Sequence, residues 1–336
     1  MTSFQKEKSI VREYYSALEG ATPDTVSEII GRFVAEDYDW RGVYPFNEKN
    51  SAEAVAEAFW KPFLQSWSPV QRREDIFIAG TGVIDGETWV MSMGHFMGLL
   101  DAPWFGIPAS RKISMLRYAD FNCVKDGKII KTGFFIDIIG VMHQNGINPL
   151  PMQTGASFVY PGPRTHDGLQ YGDHDPTEAV KTLDLLDQMI ADLDMLNKTE
   201  NDHCPPELLA KAWCDDMIWY GPAGIGATYT IPRYQEQHQY PFRQGLKNKV
   251  YNGHVSRFAE GNYACFFGWP NLTNSPKGGF LGMPESDVRA DMRVVDVYRR
   301  DGDKLAENWV LIDIPYWLKQ QGVDILDRTG KILNGY

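Results

Sequence analysis

The chain says nearly the same thing twice. "KTGFFIDIIGVMHQNG", from Lys131 to Gly146, is answered by "ENWVLIDIPYWLKQQG", from Glu307 to Gly322. Asp137 and Asp313 stand 176 residues apart, as do Gln144 and Gln320, and Gly146 and Gly322. Earlier blocks keep the same order. "DYDWRG" (Asp37 to Gly42) matches "DMIWYG" (Asp216 to Gly221), and "KPFLQ" (Lys61 to Gln65) matches "YPFRQ" (Tyr240 to Gln244), both at an offset of 179. "FGIP" (Phe105 to Pro108) and "LGMP" (Leu281 to Pro284) return to 176. A period this long is no solenoid; it means two copies of one domain separated by small loop insertions. The 336 residues therefore divide into copy one at 1–150, a Pro/Gly-rich linker at 151–175 and copy two at 176–336. The linker region carries Phe158, Tyr160 and Tyr171. Such aromatics predict a strap lying on a domain, with a lid over a pocket as the alternative.

Each copy reads as helices first and strands later. In copy one, Ile10, Tyr14, Ala17 and Leu18 are apolar at helical spacing and predict a helix over 4–19. Thr22-Pro23 reads as the cap and first residue of a second helix, and Asn50 with Glu53 as a capping box for a third over 51–67. Strands are expected at 74–80, 87–98, 111–124 and 129–140, with Asp-Gly turns at Asp85-Gly86 and Asp126-Gly127. Copy two opens on Asp175-Pro176, with helices to about 197 and after Pro205-Pro206, then strands within 249–314. Three helices followed by an antiparallel meander make an α+β domain, the helices covering one face of a curved sheet.

Composition removes several function classes. A net charge of −11 opposes binding to nucleic acid or an anionic membrane through a general basic surface. No apolar run approaches the length of a membrane helix, and "MTSFQKEKSIVREYY" lacks the apolar stretch of a signal peptide, so a cytoplasmic protein is expected. Cys123, Cys204, Cys214 and Cys265 form no close pair, which predicts reduced thiols rather than a metal or redox motif. No paired-histidine metal motif, complete phosphate-binding glycine loop or nucleophile elbow occurs, so neither metal nor cofactor is expected. "GPAGIGATY" (Gly221 to Tyr229) reads instead as a flexible loop at a pocket rim. The 10 Trp suit packed cores and also the lining of a small-molecule cavity.

Two late stretches carry a family signature. "FGIPASRKISMLRYADFNCVKDGKI" (Phe105 to Ile129) and "DGDKLAENWVLIDIPYWLKQQG" (Asp301 to Gly322) resemble the SnoaL-like polyketide cyclase family, within the broader nuclear transport factor 2-like fold. The resemblance covers most of both copies. It implies two cone-shaped domains, each with N-terminal helices packed on a strongly curved, mostly antiparallel sheet around an apolar pocket. It also implies cofactor-independent acid/base chemistry on a small carbonyl or lactone-type substrate, run by a pocket Asp with His, Asn or Tyr nearby. Cyclases, isomerases and dehydratases all fit. Members are often dimers, so the copies are expected to pack as an intrachain pseudo-dimer, with further homo-oligomers left open.

An acid inside an apolar strand is the main chemical lead. Strand alternation places Lys131, Gly133, Phe135 and Asp137 on one face, and Glu307, Trp309, Leu311 and Asp313 on the equivalent face. Desolvation raises a carboxyl pKa towards the range of a general base or acid. The preceding strand offers Asp120 beside Asn122, and Asp296 beside Tyr298. The catalytic candidates are thus Asp137, Asp313, His95, Asp120 and Asp296. Trp40, Asn122, Trp219, Trp269, Tyr298 and Trp309 are candidates for substrate binding. Copy two has Trp269 where copy one has His95, so the copies differ chemically. An Asp at a strand end also commonly caps a turn or pairs with Arg, and Arg117 and Arg293 are within reach in sequence. Those arginines keep an Asp-Arg-Asp epoxide hydrolase open, and a ligand-binding or assembly module with degenerate pockets is the non-catalytic alternative.

Overall fold

The computed structural model describes residues 3–197 and 204–334. Helices α1 (Gln5–Glu19) and α2 (Val26–Phe33) lead into β1 (Val34–Gly42) and β2 (Asn47–Lys49). Helix α3 (Ala52–Val55) passes through a π-turn at Ala56–Trp60 into α4 (Lys61–Ser66). Strands β3 (Trp67–Thr81), β4 (Thr88–Leu100), β5 (Ile113–Lys125) and β6 (Lys128–Ile136) follow, then α5 (Ile138–Gln144). The second half repeats the plan with α6 (Pro176–Asn197), α7 (Pro206–Leu209), β7 (Trp213–Tyr220) and β8 (Ala227–Tyr229). Helix α8 (Ile231–Tyr234) again runs through a π-turn, Gln235–Gln239, into α9 (Tyr240–Gly245). Strands β9 (Leu246–Tyr251), β10 (Ser256–Glu260), β11 (Tyr263–Pro276), β12 (Ala290–Asp301) and β13 (Lys304–Ile312) precede α10 (Ile314–Gln320) and α11 (Ile325–Asn334).

The first sheet has the order β2-β1-β6-β5-β4-β3, and the second has β8-β7-β13-β12-β11 with β10 and β9 both on β11. This is the expected α+β class, one curved sheet per copy. Several details differ from the sequence reading: the third helix is capped by Ser51 rather than Asn50, the second starts at Val26 after Thr25 rather than at Pro23, and β3 begins at Trp67 rather than at 74. The sheets are not pure meanders, because β1 and β7 run parallel to the last strand of their copy, Trp40 opposite Thr132 and Trp219 opposite Asn308. "VAEDYDWRG" hides its strand character behind three acids, so its alternation is weak. The last strands also end earlier than expected: Asp137 and Asp313 lie one residue beyond β6 and β13, each as the N-cap of a helix.

The Trp-x-Gly block of the repeat has a packing reason. Trp40 and Trp219 fold their rings across the glycine two residues on. A Cβ added to Gly42 would stand 2.1 Å from the Trp40 ring, and one on Gly221 would stand 1.9 Å from the Trp219 ring. Only glycine leaves room for the ring.

The halves pack through the outer faces of their sheets, away from their own helices. Phe267 of β11 meets Phe121 at 4.9 Å, Trp89 at 5.6 Å and Phe135 at 5.9 Å between ring centroids. The apolar core runs without a break from the first sheet into the second. A buried ion pair joins Lys8 of α1 to Glu260 of β10, and the other Glu260 oxygen accepts from the Ala79 amide at 2.7 Å. The connecting segment is tied down: Gly168 and Gln170 bond to Phe77, and Ala156 pairs with Ala227. Among the described residues no helix is long and apolar enough to cross a membrane.

Candidate functional site

Alternation along β5 and β12 sorts the candidate residues into two sets. Even-numbered side chains from Asp120 and Asp296 onward face their own helices; Arg117 and Arg293 face the opposite half. The interiors and the interface therefore need separate description.

In the first interior, Asp120 accepts from Asn122 Nδ2 at 3.0 Å and lies 3.4 Å from Arg72 Nη1. Tyr38 donates to Thr132 at 2.8 Å, Thr132 donates to the Asn122 carbonyl oxygen at 2.8 Å, and Asn122 also reaches the Tyr15 hydroxyl at 3.0 Å. A continuous relay of hydroxyls and amide thus ends on the Asp120 carboxylate. Burial pushes the Asp120 pKa up, while the neighbouring Arg72 charge pulls it back down. The Arg72 guanidinium lies against three rings, Tyr15 at 3.6 Å, Tyr118 at 4.6 Å and Phe96 at 4.7 Å. Its Nη2 is buried without a hydrogen-bond partner among the described residues. Burial raises the Tyr118 pKa, and the neighbouring guanidinium offsets only part of that rise. A cavity of about 270 Å³, walled by Tyr15, Leu18, Trp60, Leu64, Trp67 and Phe96, opens onto Arg72. Sequence reasoning missed Arg72 and Tyr15. "VQRRED" looks like a solvated charge run, and only the curl of β3 turns Arg72 inward.

The second interior keeps the acid and changes its company. Asp296 accepts from the Tyr298 hydroxyl at 3.0 Å and from Asn308 Nδ2 at 3.3 Å. Asn308 stands where Thr132 stands in the first half, each opposite a Trp of the parallel strand. Burial, only partly offset by those two donors, pushes the Asp296 pKa up to about 7. β3 and β9 both begin directly after the third helical stretch, so Tyr251 is the positional equivalent of Arg72, but it is 51% exposed where the Arg72 side chain is buried. The Tyr251 hydroxyl meets His254 Nε2 at 3.1 Å. His254 stacks on Phe266 and His238 stacks on Trp219, each at 3.9 Å. Desolvation lowers both imidazoles to about 3, so both are neutral near pH 7. A cavity of about 250 Å³ in this half has His238 in its wall; Asp296 does not line it, just as Asp120 does not line the first cavity, which reaches only its partner Arg72.

Asp137 and Asp313 lie at neither interior. Asp137 Oδ1 caps the Gly140 amide at 2.9 Å, and its Oδ2 accepts from the Ala223 amide of the other half at 2.9 Å. Asp313 Oδ1 caps the Tyr316 amide at 3.2 Å, and its Oδ2 accepts from the Tyr44 amide of the other half at 2.9 Å. Tyr44 and Ala223 are themselves repeat equivalents at the 179 offset. The two acids are therefore one reciprocal clasp, each capping its own helix and holding the opposite copy. Burial pushes Asp313 up to about 6, against the pull of Arg293 and the two amides.

The remaining candidates also sit at cores or the interface. His95 faces outward from β4, its Nδ1 3.4 Å from Asp75. Trp269 donates to Glu48 at 2.6 Å with Arg293 over its ring at 4.0 Å. Trp309 is buried between the halves, donating to the Pro161 carbonyl at 3.1 Å. Trp40 stacks on Phe134 in the first core. Of the sequence candidates, the interiors gather Asp120 with Asn122, and Asp296 with Tyr298, with Trp219 behind His238. Arg117 and Arg293 project from the opposite face of their strands, so the arginine beside an interior acid is Arg72.

No protein-family model matches the chain, and no curated protein matches it. Segments of the chain are similar to SnoaL-like and nuclear transport factor 2-like structures. One is a chain proposed to be a SnoaL-like polyketide cyclase, from Jannaschia sp. CCS1, at 16% identity over 41% of this chain and 89% of that one, with a TM-score of 0.32. A nuclear transport factor 2-like protein from Burkholderia thailandensis E264 gives 17% identity over 42% and 97%, with a TM-score of 0.32. TsrD from Streptomyces laurentii gives 17% identity over 42% and 97%, with a TM-score of 0.34. At such identities no residue role is carried across.

Proposed function

We propose that the first copy is a cofactor-independent acid/base enzyme acting on a small carbonyl or lactone-type compound held in the cavity between α1, α4 and β3. One observation carries this reading: a cavity of about 270 Å³ ends on a buried guanidinium, Arg72, whose Nη1 holds Asp120 while Nη2 has no hydrogen-bond partner among the described residues. In the proposed step, the Asp120 carboxylate takes a proton from the carbon α to the carbonyl. The C–H electron pair moves to the carbonyl oxygen, and Arg72 Nη2–H donates to the resulting enolate oxygen. Return of the proton to another carbon isomerises the substrate, loss of a β-leaving group dehydrates it, and attack on a second carbonyl closes a ring. The relay from Tyr38 through Thr132 and Asn122 holds the carboxylate in place. The two copies read as a pseudo-dimer within one chain, supported by the Asp137 and Asp313 clasp.

A second reading has one observation in its favour. The charge of Glu74 adds to that of Asp120 around Arg72, and two acids with an arginine are a set suited to activating water against an epoxide. Proton exchange separates the two. 1-Tetralone and δ-valerolactone, incubated with the protein in D2O, are expected to lose their α-proton NMR signals faster than in buffer, and Asp120→Asn is expected to abolish the gain. Exchange no faster than in buffer, or unchanged in Asp120→Asn, overturns the enolate assignment. Turnover of styrene oxide in its place would establish the hydrolase.

A further inference from the structure

The pseudo-symmetry exposes a site in one half by showing what fills it in the other. Arg117 and Arg293 are equivalent: each carbonyl accepts from the clasp aspartate amide, at 3.0 Å and 2.9 Å. Around Arg293 the space is full. Glu48 lies 3.2 Å from its Nη2 and Asp313 3.4 Å from its Nη1, and the guanidinium is sandwiched by Trp269 at 4.0 Å and Tyr316 at 3.6 Å. Around Arg117 the counterparts of Glu48 and Tyr316 lack those side chains, and the connecting segment brings the Tyr160 ring to 4.9 Å from the guanidinium. The register of β2 on β1 and of β8 on β7 makes Ala227 the counterpart of Glu48. The Asp caps make Gly140 the counterpart of Tyr316, since each donates its amide to Oδ1 of its aspartate.

Losing a carboxylate and a phenol ring leaves a cleft of about 300 Å³, lined by Arg117, His95, Asp137, Gly140, His143 and Tyr160. Arg117 is 5% exposed. Its guanidinium donates to the Tyr220 carbonyl at 3.1 Å and the Gly221 carbonyl at 3.4 Å and lies 4.9 Å from the Tyr160 ring. Among the described residues no carboxylate stands within ion-pairing distance of it. A buried cation whose direct hydrogen bonds go only to carbonyls is undercompensated, and desolvation lowers its pKa despite the more distant charges of Asp137 and Asp75. Asp75 and Asp137 lie in the same neighbourhood, but the first faces His95 and the second is engaged by two backbone amides. The filled half shows that one arginine here accommodates Asp313 and a second carboxylate together.

We propose that this cleft binds a small aromatic carboxylate, its carboxylate on Arg117 in the place of Glu48 and its ring in the space Tyr316 occupies in the other half. The site lies across the sheet from the cavity that ends on Arg72 and does not depend on the chemistry there. ¹⁹F NMR titration of the whole protein with 4-fluorobenzoate, against neutral 4-fluorobenzamide, tests it. Saturable binding of the acid is expected, at least about tenfold tighter than the amide. Arg117→Met and Ala227→Glu are each expected to weaken it about tenfold or more, the second by supplying the missing internal carboxylate. Asp120→Asn is expected to leave it unchanged. Should Arg117→Met not fold, Ala227→Glu decides alone. Absence of saturable binding, equal affinity for the amide, or binding indifferent to the variant that folds overturns the site. Binding lost in Asp120→Asn instead would place the ligand in the interior cavity and overturn it equally.

Discussion

The two interiors differ at one decisive point. Both place an aspartate on the penultimate strand, face it with a polar residue of the last strand and back it with a Trp folded over a Gly. In the first half a cation, Arg72, stands opposite; in the second the equivalent residue is Tyr251. Asp120 is thus a buried carboxylate with a charged partner, whereas Asp296 is a buried carboxylate with neutral donors and a pKa near 7. Duplication preserved the acid, and its immediate neighbours, Arg72 in one half and Asn308 with Tyr298 in the other, set its charge state. Neither Asp120 nor Asp296 lines the cavity of its own half, but the first cavity reaches the cation that holds Asp120, which is why the chemistry is assigned to copy one.

The largest expected effect breaks this comparison directly. Arg72→Met leaves Asp120 buried without its cation and should cost about 3–5 kcal/mol in urea unfolding at pH 7. Tyr251→Met removes only a hydroxyl and part of a ring and should cost about 1 kcal/mol. Equal losses would mean that Arg72 and Tyr251 do not set the difference between the halves.

Gly42→Ala and Gly221→Ala probe what the halves share. Each drives a methyl to within about 2 Å of a Trp ring, and each should cost about 2–3 kcal/mol. A tolerated substitution in one half only would show that the Trp wall is not equivalent in both.

The charge states give a signature in pH. Asp296 has a folded pKa of about 7 against an ordinary 3.8, so the folded protein holds a proton that the unfolded chain releases between those values. Stability from this group is complete in acid and is lost as pH rises through about 7. Asp296→Asn removes the dependence. It should gain up to about 2–4 kcal/mol over the parent at pH 8 and little at pH 4. Thermal melts at the two pH values check this, and a difference independent of pH would contradict the buried neutral-donor environment.

The smallest effect tests the clasp. Asp137→Ala and Asp313→Ala should each cost about 1–2 kcal/mol, with Asp313→Ala the larger because Arg293 also loses a partner. Amide exchange should quicken at Ala223 in the first variant and at Tyr44 in the second. Exchange confined to the helix carrying the substitution would mean that the acids cap without tying the halves.

Much of the architecture was legible because repetition and periodicity are local signals. The offsets near 176 mark two copies, and the Asp-Gly turns at Gly86 and Gly127 delimit strands by their own backbone chemistry, whereas the third helix is capped by Ser51 and not by the expected Asn50. β1 was obscured because acids on its exposed face blur the alternation. The sequence also singled out Asp120, Asn122, Asp296 and Tyr298 by their shared strand face, since alternation requires no knowledge of the partner. It drew attention to Asp137 and Asp313 equally, and there the tertiary structure decides. An acid ending an apolar strand reads the same whether it enters a cavity or caps a helix, and the difference lies in Tyr44 and Ala223, which arrive from the opposite copy. Arg72 was silent for the converse reason. Its neighbours look solvated, and only the curl of β3 beneath α1 buries its charge beside Asp120. By itself the sequence determined the duplication, the α+β plan and which acids lie on interior strand faces, because these follow from short-range chain geometry. Only the tertiary structure decided which acid meets a cation and which arginine lacks a carboxylate, because charge compensation in a buried site depends on residues brought together across the sheet and between the copies.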